Sequence, residues 1–460
     1  MRTALFPRTT SLARTRLLLL AAVISFASGT SALIFRSPLS PLIVAGAVFA
    51  AVLVALSLRN PIWALYAAIF VLLLPAQIVR QFPIRLVADY GTVLGLLFAC
   101  VCWLFGVVVY RRRIVWTSTI LVMLAFLVWS VITLFWAHTS LLGRQALIAY
   151  VTGFTLLLLL INEIDSRQTL NGLMTTLALS GWFIIFTSIG TLLAEGYTTG
   201  TRLQILGINA NSLGVILLVT MPGILWQVVK PEGPRTVTRV VMAVVFLLLT
   251  VGLVAMSGSR GSTISLSVTL LAFLLWQPTR RWGALGLVVL ALGVAIAPFI
   301  FQITLERFAV TAKDTVLGGR EALWQAAVEL ILDHPWGGVG IGNAEYAVMP
   351  YLQLLRGVLG REQASIHNPV LTIWAETGIF GLLLYLGALG SALWSLARQG
   401  RKSRRLGSGF HAPYFAVVAG VFSGYMASWI KSGGMQCDST YFLMLALLLI
   451  PTRLRGPTEQ

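Results

Sequence analysis

The chain has 460 residues, 58% of them hydrophobic and 10% charged, with a mean hydropathy of +0.88 and a formal net charge of +18. A soluble domain can neither bury nor solvate that balance, so the composition specifies a polytopic membrane protein and excludes a soluble one. The basic residues sit between hydrophobic segments on alternate sides rather than in one patch, which removes nucleic acid as a partner.

Windows of roughly 20 apolar residues predict an all-α fold with spans near 17–35, 39–58, 61–79, 90–110, 117–136, 145–161, 170–194, 211–229, 239–256, 261–276, 282–301, 369–396, 412–430 and 439–452. That is about fourteen, or about twelve if the two short windows 261–276 and 439–452 do not cross. Arg14 and Arg16 precede the first window as they would a signal-peptide core. No clear small-x-small site follows ahead of a soluble domain, so an uncleaved first helix is expected. The spans divide the chain into an N-terminal bundle over 1–301, a long outer loop over 302–368 and C-terminal helices over 369–460.

Orientation follows from the basic residues of the short connections. About twenty-one fall on one side, Arg111, Arg112, Arg113, Arg280, Arg281 and Arg398 among them, and about twelve on the other, five of which belong to the long loop and carry little weight in the rule. Both termini are therefore expected in the cytoplasm. The short outer connections keep Arg36, Arg80, Arg85, Arg144, Arg202, Arg260 and Lys431. An arginine that survives on the depleted side needs a reason.

Arg202 ends the polar turn Tyr197-Thr198-Thr199-Gly200-Thr201-Arg202, Arg260 lies in Ser257-Gly258-Ser259-Arg260-Gly261-Ser262 between two nearly abutting spans, and Arg320 begins an amphipathic run in the long loop. Each alone can snorkel to headgroups or cap a helix end. Three such arginines and a histidine returned to one membrane face make a candidate anion site.

The run Arg320–Leu332 predicts a helix with apolar positions 323, 324, 327, 328, 330 and 331, too short and too charged to span, lying on the outer surface between Gly318-Gly319 and Pro335. The following Gly337-Gly338-Val339-Gly340-Ile341-Gly342 follows no predicted strand and opens no βαβ unit, so tight backbone packing near a substrate is expected rather than a nucleotide loop.

Of the four histidines, His138 and His411 have interfacial or solvated roles by default, and His334 ends the loop helix, where capping competes with function. His367 differs, because it stands at the outer mouth of a long span beside Asn368 and Pro369, with Glu376 about two and a half turns further in. The scattered aspartates offer no dense carboxylate site for magnesium or manganese, and Cys100, Cys102 and Cys437 give neither a disulfide framework nor zinc spacing, so neither a metal nor a cofactor is expected. No serine occupies a nucleophile elbow. What remains is a general base beside arginines able to hold a diphosphate through forked, charge-assisted hydrogen bonds.

In chain order, Ser259-Arg260-Gly261, Arg320 with Trp324 four residues on, His334-Pro335-Trp336-Gly337-Gly338-Val339-Gly340, His367-Asn368 and Glu376-Thr377-Gly378-Ile379-Phe380-Gly381 resemble the O-antigen ligase and O-antigen polymerase superfamily over roughly residues 200–395. The resemblance implies a glycosyltransferase of the bacterial inner membrane that takes a glycan from undecaprenyl diphosphate at the periplasmic face without a metal. It implies Arg260, Arg320 and Arg202 as diphosphate ligands and His367 as the base that activates the acceptor hydroxyl, with Asn368, Glu376 and His334 in support. Partners would be the lipid-linked donor, a glycan or glycolipid acceptor and membrane lipid. Transfer en bloc, as by a ligase, is the leading expectation, and joining of lipid-linked repeat units, as by a polymerase, is the next. A transporter of lipid-linked oligosaccharide is the rival from another class. The absence of an internal hydropathy repeat speaks against it.

Overall fold

The computed structural model of the chain describes residues 52–57, 60–74, 85–196, 203, 209–231, 236–296, 302, 305–306, 309, 320–356, 364–406, 411–432 and 434–454. The expected spans 17–35 and most of 39–58, the residue Arg202 and the lead-in Gly318-Gly319 lie outside them. Among the described residues every regular element is helical: α1 (Ile62–Leu72), α2 (Arg85–Tyr110), α3 (Ser118–Thr133), α4 (Ser140–Glu163), α5 (Arg167–Glu195), α6 (Ala210–Val229), α7 (Val237–Met256), α8 (Arg260–Leu274), α9 (Arg280–Ile296), α10 (Glu321–Asp333), α11 (Ala344–Ala347), α12 (Met349–Arg356), α13 (Pro369–Leu406), α14 (His411–Trp429) and α15 (Ser439–Leu449). Six of these are long and apolar enough to cross a membrane, and α1, α3, α8 and α15 are shorter apolar helices. The protein is an all-α, multi-pass membrane protein.

The helices start where side chains can satisfy orphan backbone N–H groups. Thr117 accepts from the Ile120 amide ahead of α3, Ser166 and Thr169 form a reciprocal capping box at α5, and Ser259 and Asp438 cap α8 and α15. Two windows differ from their helices. In the window 61–79 the described residues hold the 11-residue α1, capped at the buried Leu73, and residues 75–79 lie outside the described ones. The window 369–396 yields the 38 residues of α13, two helical segments joined at a break at Gly378, and the second runs past the window because the Arg-rich stretch beyond the apolar core is still made mostly of good helix formers.

Small residues let these helices approach closely, as lipid gives no hydrophobic drive between apolar surfaces. Gly153 of α4 faces the ring of Phe442 of α15, and Gly420 and Gly424 of α14 face Phe273 and Thr269 of α8. Between α13, α14 and α15, the buried rings of Tyr385 and Tyr441 stack at 5.1 Å and those of Trp429 and Tyr441 at 5.9 Å. Leu97, Val108, Phe186, Leu193 and Leu383 point outward, as lipid-facing side chains do.

Alternation of the helices sorts their connections onto two ends. One end gathers Arg112, Glu163, Lys230, Arg281, His411 and Arg453, tied by an Arg112–Glu163 ion pair at 3.2 Å and by Arg453 Nε donating to the Ile161 carbonyl at 3.1 Å. The other gathers the start of α8, the helices α10 to α12, the start of α13 and the turn between α14 and α15. Here a second, smaller core of Ala326, Ala327, Leu330, Ile331, Ala344 and Ile366 seats α10 on α13.

Candidate active site

Arg260 is the first residue of α8, and its approach is fixed by a short polar network. Gly258 takes a left-handed φ of 60°, which turns the chain sharply out of α7. Ser259 then accepts from the Ser262 amide and donates from its own hydroxyl to Asn211 Oδ1 at 2.6 Å, tying the start of α8 to the start of α6. Arg260 thus leaves from a junction whose geometry is set by hydrogen bonds rather than by a flexible loop.

Arg320 stands at the start of α10, half-buried, and its Nη1 donates to the backbone carbonyl of Lys431 at 2.8 Å. That bond brings together two segments 111 residues apart. Burial, and then the neighbouring Arg260, push Arg320 below the ordinary arginine value. Lys431 is likewise lowered by burial, then by Arg320 and Arg260. Among the described residues no carboxylate lies within ion-pair distance of Arg320 or Lys431. A guanidinium does not give up its proton at physiological pH. Three mutually repelling, partly desolvated cations therefore form a positive site whose repulsion an anion would relieve.

His367 faces the same group. It is lowered from 6.5 by burial first and by Arg320 next, with Glu345 acting in the opposite direction. Its backbone sits at φ 52°, a left-handed conformation rare outside glycine. Hydrogen bonds at both neighbouring residues hold it there. Trp324 Nε1 donates to the Ile366 carbonyl at 3.0 Å, so the helix that carries Arg320 also grips the residue before His367. On the other side Asn368 caps α13, its Oδ1 accepting from the amides of Val370 at 3.0 Å and Leu371 at 3.2 Å. The Arg320–Trp324 spacing thus has a physical meaning: one helical turn holds the cation and the histidine in a common frame.

The glycine-rich stretch is a backbone clamp. Val339 and Gly340 donate to the carbonyls of Ala375 and Glu376 at 2.8 and 2.9 Å, and Ile379 donates back to the Pro335 carbonyl at 2.9 Å. Gly378 breaks the helical path of α13 at φ 66°, and a Cβ there would overlap the Trp336 carbonyl. Only glycine lets the two backbones meet. The far side is fixed by Trp136 Nε1 donating to the Gly338 carbonyl at 3.1 Å and by Asn343 Oδ1 accepting from the Thr139 amide at 2.8 Å.

The structure therefore brings together Arg260, Arg320 and His367, and gives Asn368 the task of capping the helix behind His367. Glu376 is buried and its carboxyl accepts from the backbone of Gly342 and Ala344, which pins the glycine-rich loop. The His334 side chain is exposed at the end of α10, and its backbone amide and carbonyl close the turn into that loop. Lys431 and Glu345 were missed by sequence reasoning. Lys431 carried a signal, being one of the few basic residues kept on the depleted side. Glu345 carried none, since only the folded loop brings it near His367. Among the described residues no three His, Cys, Asp or Glu side chains come together as a metal site would need.

No curated protein sequence matches the chain. A family model described as O-Antigen ligase matches residues 243–386, a stretch that runs from α7 through Arg260, Arg320, the glycine-rich loop and His367 into α13. Over that stretch, which is less than half of its length, the chain is similar to the O-antigen ligase family.

Proposed function

We propose that the chain transfers a glycan en bloc from undecaprenyl diphosphate to an acceptor hydroxyl, as a ligase does, at the outer face of the bacterial inner membrane with both termini in the cytoplasm. The observation that carries this reading is the convergence of Arg260, Arg320 and Lys431, with no carboxylate among the described residues paired to Arg320 or Lys431, beside a histidine held neutral by burial and by Arg320. O-antigen ligase and polymerase chemistry supplies the substrate class. A diphosphate matches the cluster in charge, and arginine forks match its oxygens in geometry.

In this mechanism the polyprenyl tail lies among the spans while the diphosphate meets Arg260 and Arg320, with Lys431 beside them and Arg202 as a further ligand. The acceptor oxygen attacks the anomeric carbon, its proton passes to His367, and the carbon–oxygen bond to the diphosphate breaks. The electron pair leaves on the lipid diphosphate, where the fixed cations stabilise it. One displacement inverts the anomeric centre. His367 suits the role because a base must be neutral at working pH to receive the proton. No step needs a metal.

The experiment is an acceptor swap with purified protein and a synthetic undecaprenyl-diphosphate oligosaccharide. En bloc ligation predicts release of undecaprenyl diphosphate only when a separate glycan or glycolipid acceptor is added. Chain growth from the donor alone would replace this reading with polymerisation of lipid-linked repeats. Passage of intact labelled donor across vesicles with no release would replace it with transport.

A further inference from the structure

At the end of the bundle remote from His367, the ends of α6, α7, α9 and α14 splay around a cleft of about 660 Å³. Its walls are apolar, with Val228, Val229, Val240, Val244, Trp282 and Leu285 contributing, while Gln277 and Arg281 stand at the mouth. Val244 lies about two turns and Leu285 about one and a half turns inside their helices, so the cleft reaches down from the helix ends into the apolar thickness. Pro231, Pro278 and Pro413 also line it, and their nitrogens carry no N–H, so the mouth's polar chemistry falls to side chains.

Charge decides what fits. Lys230, Arg239 and Arg280 each adjoin a lining residue in sequence, and Arg281 lines the cleft itself from the first turn of α9, where the helix dipole also favours an anion. The cleft opens among spans at the end richest in basic residues, where anionic headgroups of the cytoplasmic leaflet concentrate. A free soluble anion would use the rim and leave the apolar walls wet.

We infer that this cleft binds one anionic phospholipid, its phosphate on Arg281 and Gln277 and one acyl chain against Val240, Val244 and Leu285. The site is separate from the proposed transfer site and does not depend on it. Its role is to fill the wedge where α7 and α9 part, holding the basic end of the bundle together.

The test uses the full chain, exchanged in detergent against equal amounts of dioleoyl phosphatidylglycerol and dioleoyl phosphatidylcholine, with retained lipid counted by native mass spectrometry. Wild type should keep one phosphatidylglycerol in preference to phosphatidylcholine. Arg281→Gln, at an exposed position, should lower that preference about fivefold, the worth of one basic residue at an anionic surface. Val244→Trp should fill the cleft and lose both lipids, while Arg113→Gln, at the same end but away from the cleft, should change nothing. Equal retention of the two lipids by wild type would overturn the inference, as would an unchanged preference in Arg281→Gln. Should Val244→Trp fail to fold, the Arg281→Gln result alone decides.

Discussion

The two ends of the bundle are both basic, yet they treat their cations differently. At the end bearing Arg111, Arg112 and Arg113, the three side chains are exposed and Arg112 pairs with the buried Glu163 at 3.2 Å. At the other end Arg320 and Lys431 are half-buried, are repelled by one another and by Arg260, and among the described residues have no carboxylate at ion-pair distance. Number of charges is thus a poor guide to function. Solvated or paired cations record membrane orientation, whereas partly desolvated ones that repel one another carry a cost in stability that a bound anion would offset.

The sharpest way to break this comparison is to change the second end and watch the chemistry. His367→Ala should lower kcat for donor turnover by about 10²–10⁴, and Arg260→Ala or Arg320→Ala by about 10²–10³. Arg113→Ala, at the first end, should leave turnover unchanged. Equal losses at the two ends would mean that net charge matters and the cluster does not.

Gly378→Ala should act through the frame. Its Cβ would strike the Trp336 carbonyl and the residue would keep a positive φ, so about 1–3 kcal/mol of strain should appear as a lower thermal midpoint together with reduced turnover. Arg112→Gln makes the converse prediction. Leaving the Glu163 carboxylate without its partner should cost about 1–3 kcal/mol of stability in thermal unfolding while kcat stays at the wild-type value.

The smallest effect is a shift in pH dependence. His367 must be neutral to act, so kcat/KM should fall as pH drops through its pKa, which lies below the ordinary 6.5. Arg320 favours the neutral form by repulsion, so Arg320→Gln should raise that pKa and move the acid limb of the residual rate to higher pH. A limb that stays in place would separate His367 from the cation cluster.

Much of the fold was legible because each span is long, apolar and punctuated: windows at 90–110, 170–194, 211–229 and 239–256 match α2, α5, α6 and α7 to within a few residues. That Arg260, Arg320 and His367 would meet at one face was legible for a different reason, since each is a polar group returned to a face that the topology otherwise depletes. The spacing puts Glu376 about two and a half turns into the span that follows His367. That its carboxyl meets the backbone of Gly342 and Ala344 no spacing rule could reveal, because a distant loop folds over it. Lys431 and Glu345 depend on contacts across 111 residues and across the long loop, which one-dimensional periodicity does not encode.

The most direct test of the central claim is release of undecaprenyl diphosphate from a synthetic lipid-linked oligosaccharide, in EDTA and with acceptor present, by purified wild type and by His367→Ala of equal thermal stability. The account predicts release by wild type and its near-complete loss in the variant. Release at the wild-type rate by His367→Ala would contradict it.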